Sequence, residues 1–204
     1  MSETARAEHR DFLNRYYGIS RRFYDLTRRY YLLGREPCLA HLSEESWSSL
    51  IEIGPGTGRN LRKLHERRPE AEYGGVEASD AMLEHARSKI PFAKLVHGFA
   101  ETADLEGLLG RKPDRILFAY CLSMVQEPLP ALEHCRRQLA PGGEVVVVDF
   151  GDLGGWPGPL RTSMRSFLDT FHVRELPDAE LEKLAKASVH GRGRYWSMYR
   201  FDAL

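Results

Sequence analysis

The chain has 204 residues, and 29 Lys+Arg balance 29 Asp+Glu to a formal net charge of zero; at about 100–200 residues per domain this is one large domain, or one domain with a small appendage. Hydrophobic residues make up 42% and charged residues 28%, which excludes a disordered chain, and no run of about 18 apolar residues is present to span a membrane as a helix. Zero net charge argues against a general nucleic-acid binder.

Met1–Arg10 mixes small, acidic and basic residues without the apolar stretch of a secretory signal. Three cysteines, Cys38, Cys121 and Cys135, show no CxxC spacing and no even count, which points to a reducing cytosol without disulfides or structural zinc. Residues 1–42 hold eight Arg, no Lys and five acidic residues, and seven of the chain's aromatics lie between Phe12 and Tyr31. An aromatic, arginine-rich head thus precedes a more ordinary body.

In the head, Phe23, Leu26, Tyr30 and Leu33 recur at three- and four-residue steps, one face of a helix. Gly18 separates it from an earlier helix over 4–17, Ser20 can cap its start, and Gly34 should end it, with a short helix following over Glu36–His41. The body alternates strand and helix. Strands are expected at Ser49–Ile53, Tyr73–Val76, Lys94–His97, Arg115–Tyr120 and Glu144–Phe150, and helices at Arg59–Arg67, Asp80–Lys89 and Pro130–Leu139. This alternation implies a parallel sheet of right-handed βαβ units, and the unbroken apolar run of Glu144–Phe150 implies burial on both faces. Gly151–Pro159, with four Gly and two Pro, reads as a loop. Helices at Leu160–Phe171 and Asp178–Lys186 follow, and Ser188–Phe201 reads as a terminal antiparallel hairpin.

The most informative stretch is Ile51-Glu52-Ile53-Gly54-Pro55-Gly56-Thr57-Gly58, between a strand and a helix. Glycines there permit a sharp turn and close approach of a ligand to the free N–H groups of the helix start. The G-x-G-x-G spacing is neither the dinucleotide fingerprint nor a P-loop. Glu77, closing the next strand, can accept hydrogen bonds from both hydroxyls of a ribose. Glu52 lies one strand over, where a carboxylate can face a cationic amine. A ligand with a ribose, an ammonium and no phosphate fits, and S-adenosylmethionine is one.

These segments resemble the class I, seven-stranded S-adenosylmethionine-dependent methyltransferases. Glu52–Gly58 is similar to their first motif and Val76-Glu77-Ala78-Ser79-Asp80-Ala81-Met82 to their second, while Leu139-Ala140-Pro141-Gly142-Gly143 resembles the turn into strand five. The resemblance implies an α/β fold with a Rossmann-like sheet of seven strands, mostly parallel with a C-terminal antiparallel strand. By it, Gly54, Gly56 and Gly58 cradle the cofactor and Glu77 binds the ribose, with Ala78 beside it. Met82 covers the adenine, and Gly98–Glu101, including Ala100 and Glu101, lies along the adenine edge. Phe99 stands where the family usually has an acid, leaving the adenine amino contact to Glu101 or to backbone.

The run Arg21-Arg22-Phe23-Tyr24-Asp25-Leu26-Thr27-Arg28-Arg29-Tyr30-Tyr31-Leu32-Leu33-Gly34-Arg35 resembles the N-terminal signature of bacterial enzymes that methylate diacylglyceryl-homoserine to a betaine lipid, relatives of which trimethylate phosphatidylethanolamine. The resemblance implies successive N-methylations of a lipid amine by an enzyme held peripherally at the inner face of the membrane. Residues 1–42 are then a substrate-binding cap on a cofactor-binding domain, 43–204. Arg28, Arg29 and Arg35 meet anionic head groups, and tyrosine faces suit a quaternary ammonium. Tyr24, Tyr31 or Tyr120 could orient the amine; His97 and His134 could be bases, but lone histidines at element ends are more often structural. The eight histidines show no metal-ligand spacing. A small-molecule N- or O-methyltransferase of the same fold, or a cofactor-binding protein without turnover, are the competing readings.

Overall fold

The computed structural model describes residues 31–171 and 173–204; the expected head helices, with Tyr24, Arg28 and Arg29, lie outside these residues. The described chain runs α1 (Arg35–Glu44), β1 (Ser49–Ile53), α2 (Arg59–Arg67), β2 (Glu72–Glu77), α3 (Asp80–Lys89), β3 (Lys94–His97), α4 (Leu105–Leu109), β4 (Arg115–Ala119), α5 (Pro128–Arg137), β5 (Glu144–Phe150), α6 (Gly158–Asp169), α7 (Asp178–Leu184), β6 (Ala187–His190) and β7 (Trp196–Asp202). Seven strands form one sheet in the order β3-β2-β1-β4-β5-β7-β6. The first five are parallel, and β7 is antiparallel to both β5 and β6. Among the described residues no helix is long and apolar enough to cross a membrane.

Side chains alternate across a strand, so the two faces of the sheet carry separate cores. Val146 and Val148 of β5 join Leu39, Leu61, Leu64 and Ile90 on one face. Val145 and Val147 join Ile51, Phe118, Leu132 and Leu181 on the other. Every residue of β1, β4 and β5 is buried, the charged Glu52, Arg115, Glu144 and Asp149 included.

Several elements differ from expectation. Gly34 does not close a helix; residues 31–34 are turns and Gly34 is the N-cap of α1. The boundary expected after residue 42 falls inside α1, whose Cys38, Leu39 and Leu42 are each 1% exposed within the core, so 31–42 is part of the body. The helix expected from Pro130 begins at Pro128, because first-turn N–H groups have no intrahelical partner and prolines there sacrifice nothing. Helix α4, capped by Asp104 and ended by left-handed Gly110, was not anticipated.

The strand order reverses between β1 and β4, and the crevice beyond the carboxyl ends of these strands is where such sheets bind ligands. At the opposite end of the strands, where β5 begins, the sheet carries a charge network. The Glu144 side chain, 1% exposed, takes hydrogen bonds from Arg200 Nε (2.8 Å) and Lys186 Nζ (2.9 Å), with His41 Nε2 3.5 Å away. Burial alone would raise its pKa, but these donors outweigh it and hold the carboxyl at about 2. Glu45 beside it is bound by Arg115 and Arg200. His41, Glu45 and Glu144 converge in a metal-like spacing, but the cations already compensate both carboxylates.

Candidate active site

The loop after β1 turns through Gly54, Gly56 and Gly58, with φ of +67°, +58° and +75°. Their roles diverge. A Cβ on Gly56 would meet only Met82 Cε, at 3.8 Å, so that backbone borders open cleft. A Cβ on Gly54 would lie 2.6 Å from Cys121 Sγ, and one on Gly58 2.7 Å from Ile90 Cδ1. Gly58 is therefore a packing glycine at the start of α2 and, contrary to expectation, does not line the cleft.

Glu77 ends β2, 6% exposed. Its Oε2 accepts from the Gly56 N–H and its Oε1 from the Ser79 N–H, both at 3.0 Å. Burial raises its pKa and these backbone donors oppose the rise. Glu52, on β1 and 1% exposed, accepts from Asn60 Nδ2 at 2.6 Å through Oε1, while its buried Oε2 has no protein partner. Burial pushes this carboxyl up to about 7, with Asn60 and the Arg35 guanidinium pulling the other way. Arg35, in the first turn of α1, lines the same cleft. A buried carboxylate oxygen awaiting a donor, beside a guanidinium, offers complementary partners for an α-amino acid group.

The cleft encloses about 1020 Å³ not filled by protein atoms, its open mouth included. One wall carries Ala78, Met82, Phe99, Ala100 and Glu101, the other Tyr120, Cys121 and Met124–Gln126. Cys121 is kept a thiol by desolvation, with Glu77 and Asp149 adding to the shift. Burial likewise raises the pKa of the Tyr120 phenol, whose oxygen accepts a hydrogen bond from the Gly34 N–H at 2.8 Å.

The structure thus brings Glu52, Gly54, Gly56, Glu77, Ala78, Met82, Ala100, Glu101 and Tyr120 together around one cleft. Arg35, expected on a lipid-facing surface, joins them. Tyr31 does not line this cleft; its ring packs against Phe150, Phe167 and Phe171, beside a small apolar cavity that shares Tyr120 and Met124 with the cleft. His97 and His134 lie off the cleft, their Nε2 atoms 3.1 and 2.9 Å from the carbonyl oxygens of Ala78 and Ala103. Sequence reasoning missed Asn60, 4% exposed. Its signal was a polar residue adjoining the buried Leu61 and Leu64 positions of α2.

Residues 51–145 match the family described as a methyltransferase domain. Trans-aconitate 2-methyltransferase of Escherichia coli is 29% identical over 72% of this chain and 54% of that protein. Malonyl-[acyl-carrier protein] O-methyltransferase of Brevibacillus brevis is 30% identical over 56% of this chain and 42% of that protein. The chain thus spans about half the length of the curated relatives it matches. Among solved structures, an O-methyltransferase family protein from Burkholderia thailandensis superposes with a TM-score of 0.65 at 17% identity, over 92% of this chain and 62% of that one. An amino pentose methyltransferase from Micromonospora echinaspora, solved with S-adenosylmethionine bound, superposes with a TM-score of 0.52 at 25% identity, over 68% of this chain and 58% of that one.

Proposed function

We propose that this chain, with the fold of the class I methyltransferases, is an S-adenosylmethionine-dependent methyltransferase acting on the amine of a lipid head group. The observation that carries the cofactor is the Glu52–Gly56–Glu77 arrangement. S-adenosylmethionine is the cofactor that meets its demands: hydroxyls for the spare lone pairs of Glu77, close approach at Gly56, an ammonium for the orphaned Oε2 of Glu52, and a carboxylate for Arg35.

When bound, the cofactor supplies an electrophilic methyl group on its sulfonium. The protein's part is alignment and effective concentration. Glu77 fixes the ribose end and Glu52 with Arg35 the amino acid end, so the space before Tyr120, Cys121 and Met124 receives the acceptor. Among the described residues lining the cleft there is no histidine, and the Cys121 thiol and Tyr120 phenol hold their protons. Such a wall suits an acceptor whose lone pair needs no strong base, an amine rather than an alcohol.

The lipid nature of that amine rests on the segment 21–35 and its resemblance to betaine-lipid enzymes. Arg28 and Arg29 would meet an anionic membrane surface, each worth about 1 kcal/mol at low salt. A second reading has a specific basis: a carboxylate acceptor also needs no base, and the relatives named for trans-aconitate and malonyl-carrier protein point to one.

Purified protein with labelled cofactor separates these. Incubation with vesicles of phosphatidylethanolamine or diacylglyceryl-homoserine, and in parallel with trans-aconitate, should place label in the lipid phase. Label on trans-aconitate alone moves the function to the second reading.

A further inference from the structure

Tyr120 stands out for its backbone. It follows β4 directly with φ of +56°, a left-handed value uncommon for a bulky side chain and retained only where surroundings enforce it. Those surroundings are visible. The Tyr120 N–H donates to the Val148 carbonyl at 2.7 Å, and the ring packs edge-on against Phe150 with centroids 4.9 Å apart. The phenol oxygen reaches the N-cap of α1, where it accepts the buried Gly34 N–H at 2.8 Å.

Gly34 is pinned from another side as well. A Cβ there would lie 2.7 Å from Val148 Cγ2 and 2.8 Å from Trp196 Cδ2, so its backbone rests directly on β5 and β7. It has no side-chain cap to fix the helix start, and Tyr120 takes that place. The next residue is Arg35, which reaches the cleft beside Glu52.

We infer that Tyr120 is a positioning residue: its hydroxyl latches the N-terminus of α1 to the carboxyl end of β4 and thereby holds Arg35 where the cofactor's carboxylate is bound. The inference rests on the cofactor reading above. It also gives Tyr120, a candidate for orienting the acceptor amine, a structural partner in the Gly34 amide.

Calorimetric titration of Tyr120→Phe, Arg35→Gln and the double variant with S-adenosylmethionine tests the latch. Each single change should weaken binding about tenfold, the scale of one charge-assisted hydrogen bond. The double variant should be scarcely weaker than Arg35→Gln, since both act through one contact. In turnover, Tyr120→Phe should raise KM for the cofactor more than it lowers kcat. Losses that multiply, wild-type affinity in Tyr120→Phe, or a loss confined to kcat would overturn the inference. Should Tyr120→Phe not fold, hydrogen exchange at the Gly34 amide of the wild-type chain decides: protection that rises on cofactor binding is expected, and a fast-exchanging amide overturns it. A wild-type chain that does not bind cofactor would sink the cofactor reading itself, whereas binding that ignores Tyr120 sinks only the latch.

Discussion

At Glu77, two backbone amides each occupy one lone pair of the carboxylate and leave the others for a ligand. Glu77→Ala should weaken cofactor binding by about 1.5–3 kcal/mol, roughly ten- to hundredfold, while the chain stays folded; calorimetric titration measures it, and undiminished affinity would remove the ribose assignment. At Glu52 burial pushes the carboxyl up to about 7, against about 4.3 in an unfolded chain. The folded state therefore holds this proton more tightly. The stability Glu52 contributes is complete below about pH 4.3 and is lost as pH rises toward 7, on the order of 4 kcal/mol in all. Urea unfolding without cofactor should show the wild type losing more stability than Glu52→Gln between about pH 5 and pH 8. Cofactor affinity should move oppositely, rising over the same range as Glu52 ionises to meet an ammonium.

At the scale of elements, the glycine turn divides into residues that border the ligand and residues that let α2 sit against α3. Gly58→Ala combines a left-handed φ with a Cβ 2.7 Å from Ile90 Cδ1. It should lower stability by about 1–3 kcal/mol, read as a lower urea midpoint, with cofactor affinity of the folded fraction nearly intact. A large loss of affinity at unchanged stability would return Gly58 to the binding site. This division was not legible in the sequence, where all three glycines obey one spacing. β1, β3 and β5 were legible to the residue: in β1 and β5 apolar residues buried on both faces admit few registers, and β3, at the edge of the sheet, shows as Leu95 and Val96 between polar neighbours. Glu52, Gly56 and Glu77 were legible as residues of one cleft, because a glycine turn after one strand and an acid closing the next meet at the carboxyl ends of paired parallel strands. Arg35 was misplaced for a physical reason. A glycine after a periodic segment usually ends a helix, but Gly34 has φ of −74° and starts one, drawing the following arginine inward. Helix α4 is five residues long, too short for helical periodicity to register.

For the whole molecule, the cleft joins parts of the chain that are distant in sequence. β1 and β4 are neighbours only because β2 and β3 are laid on the other side, so the turn at Gly54–Gly58 and the wall at Tyr120–Gln126 meet after the sheet is assembled. No single strand–helix unit of the chain holds both. Methyl donor should therefore recognise the completed sheet and ignore partly folded forms, contributing about 2.7 kcal/mol at a concentration one hundred times its Kd. Limited proteolysis with and without S-adenosylmethionine tests this, with slower digestion across the entire described body expected and protection confined to one loop counting against it. A margin of that size can change how much of a protein survives cellular proteases. If the chain acts as proposed, the crossover of strands at β1 and β4 ties its lifetime to the supply of the methyl donor, and a cell short of donor would hold fewer copies as well as idle ones.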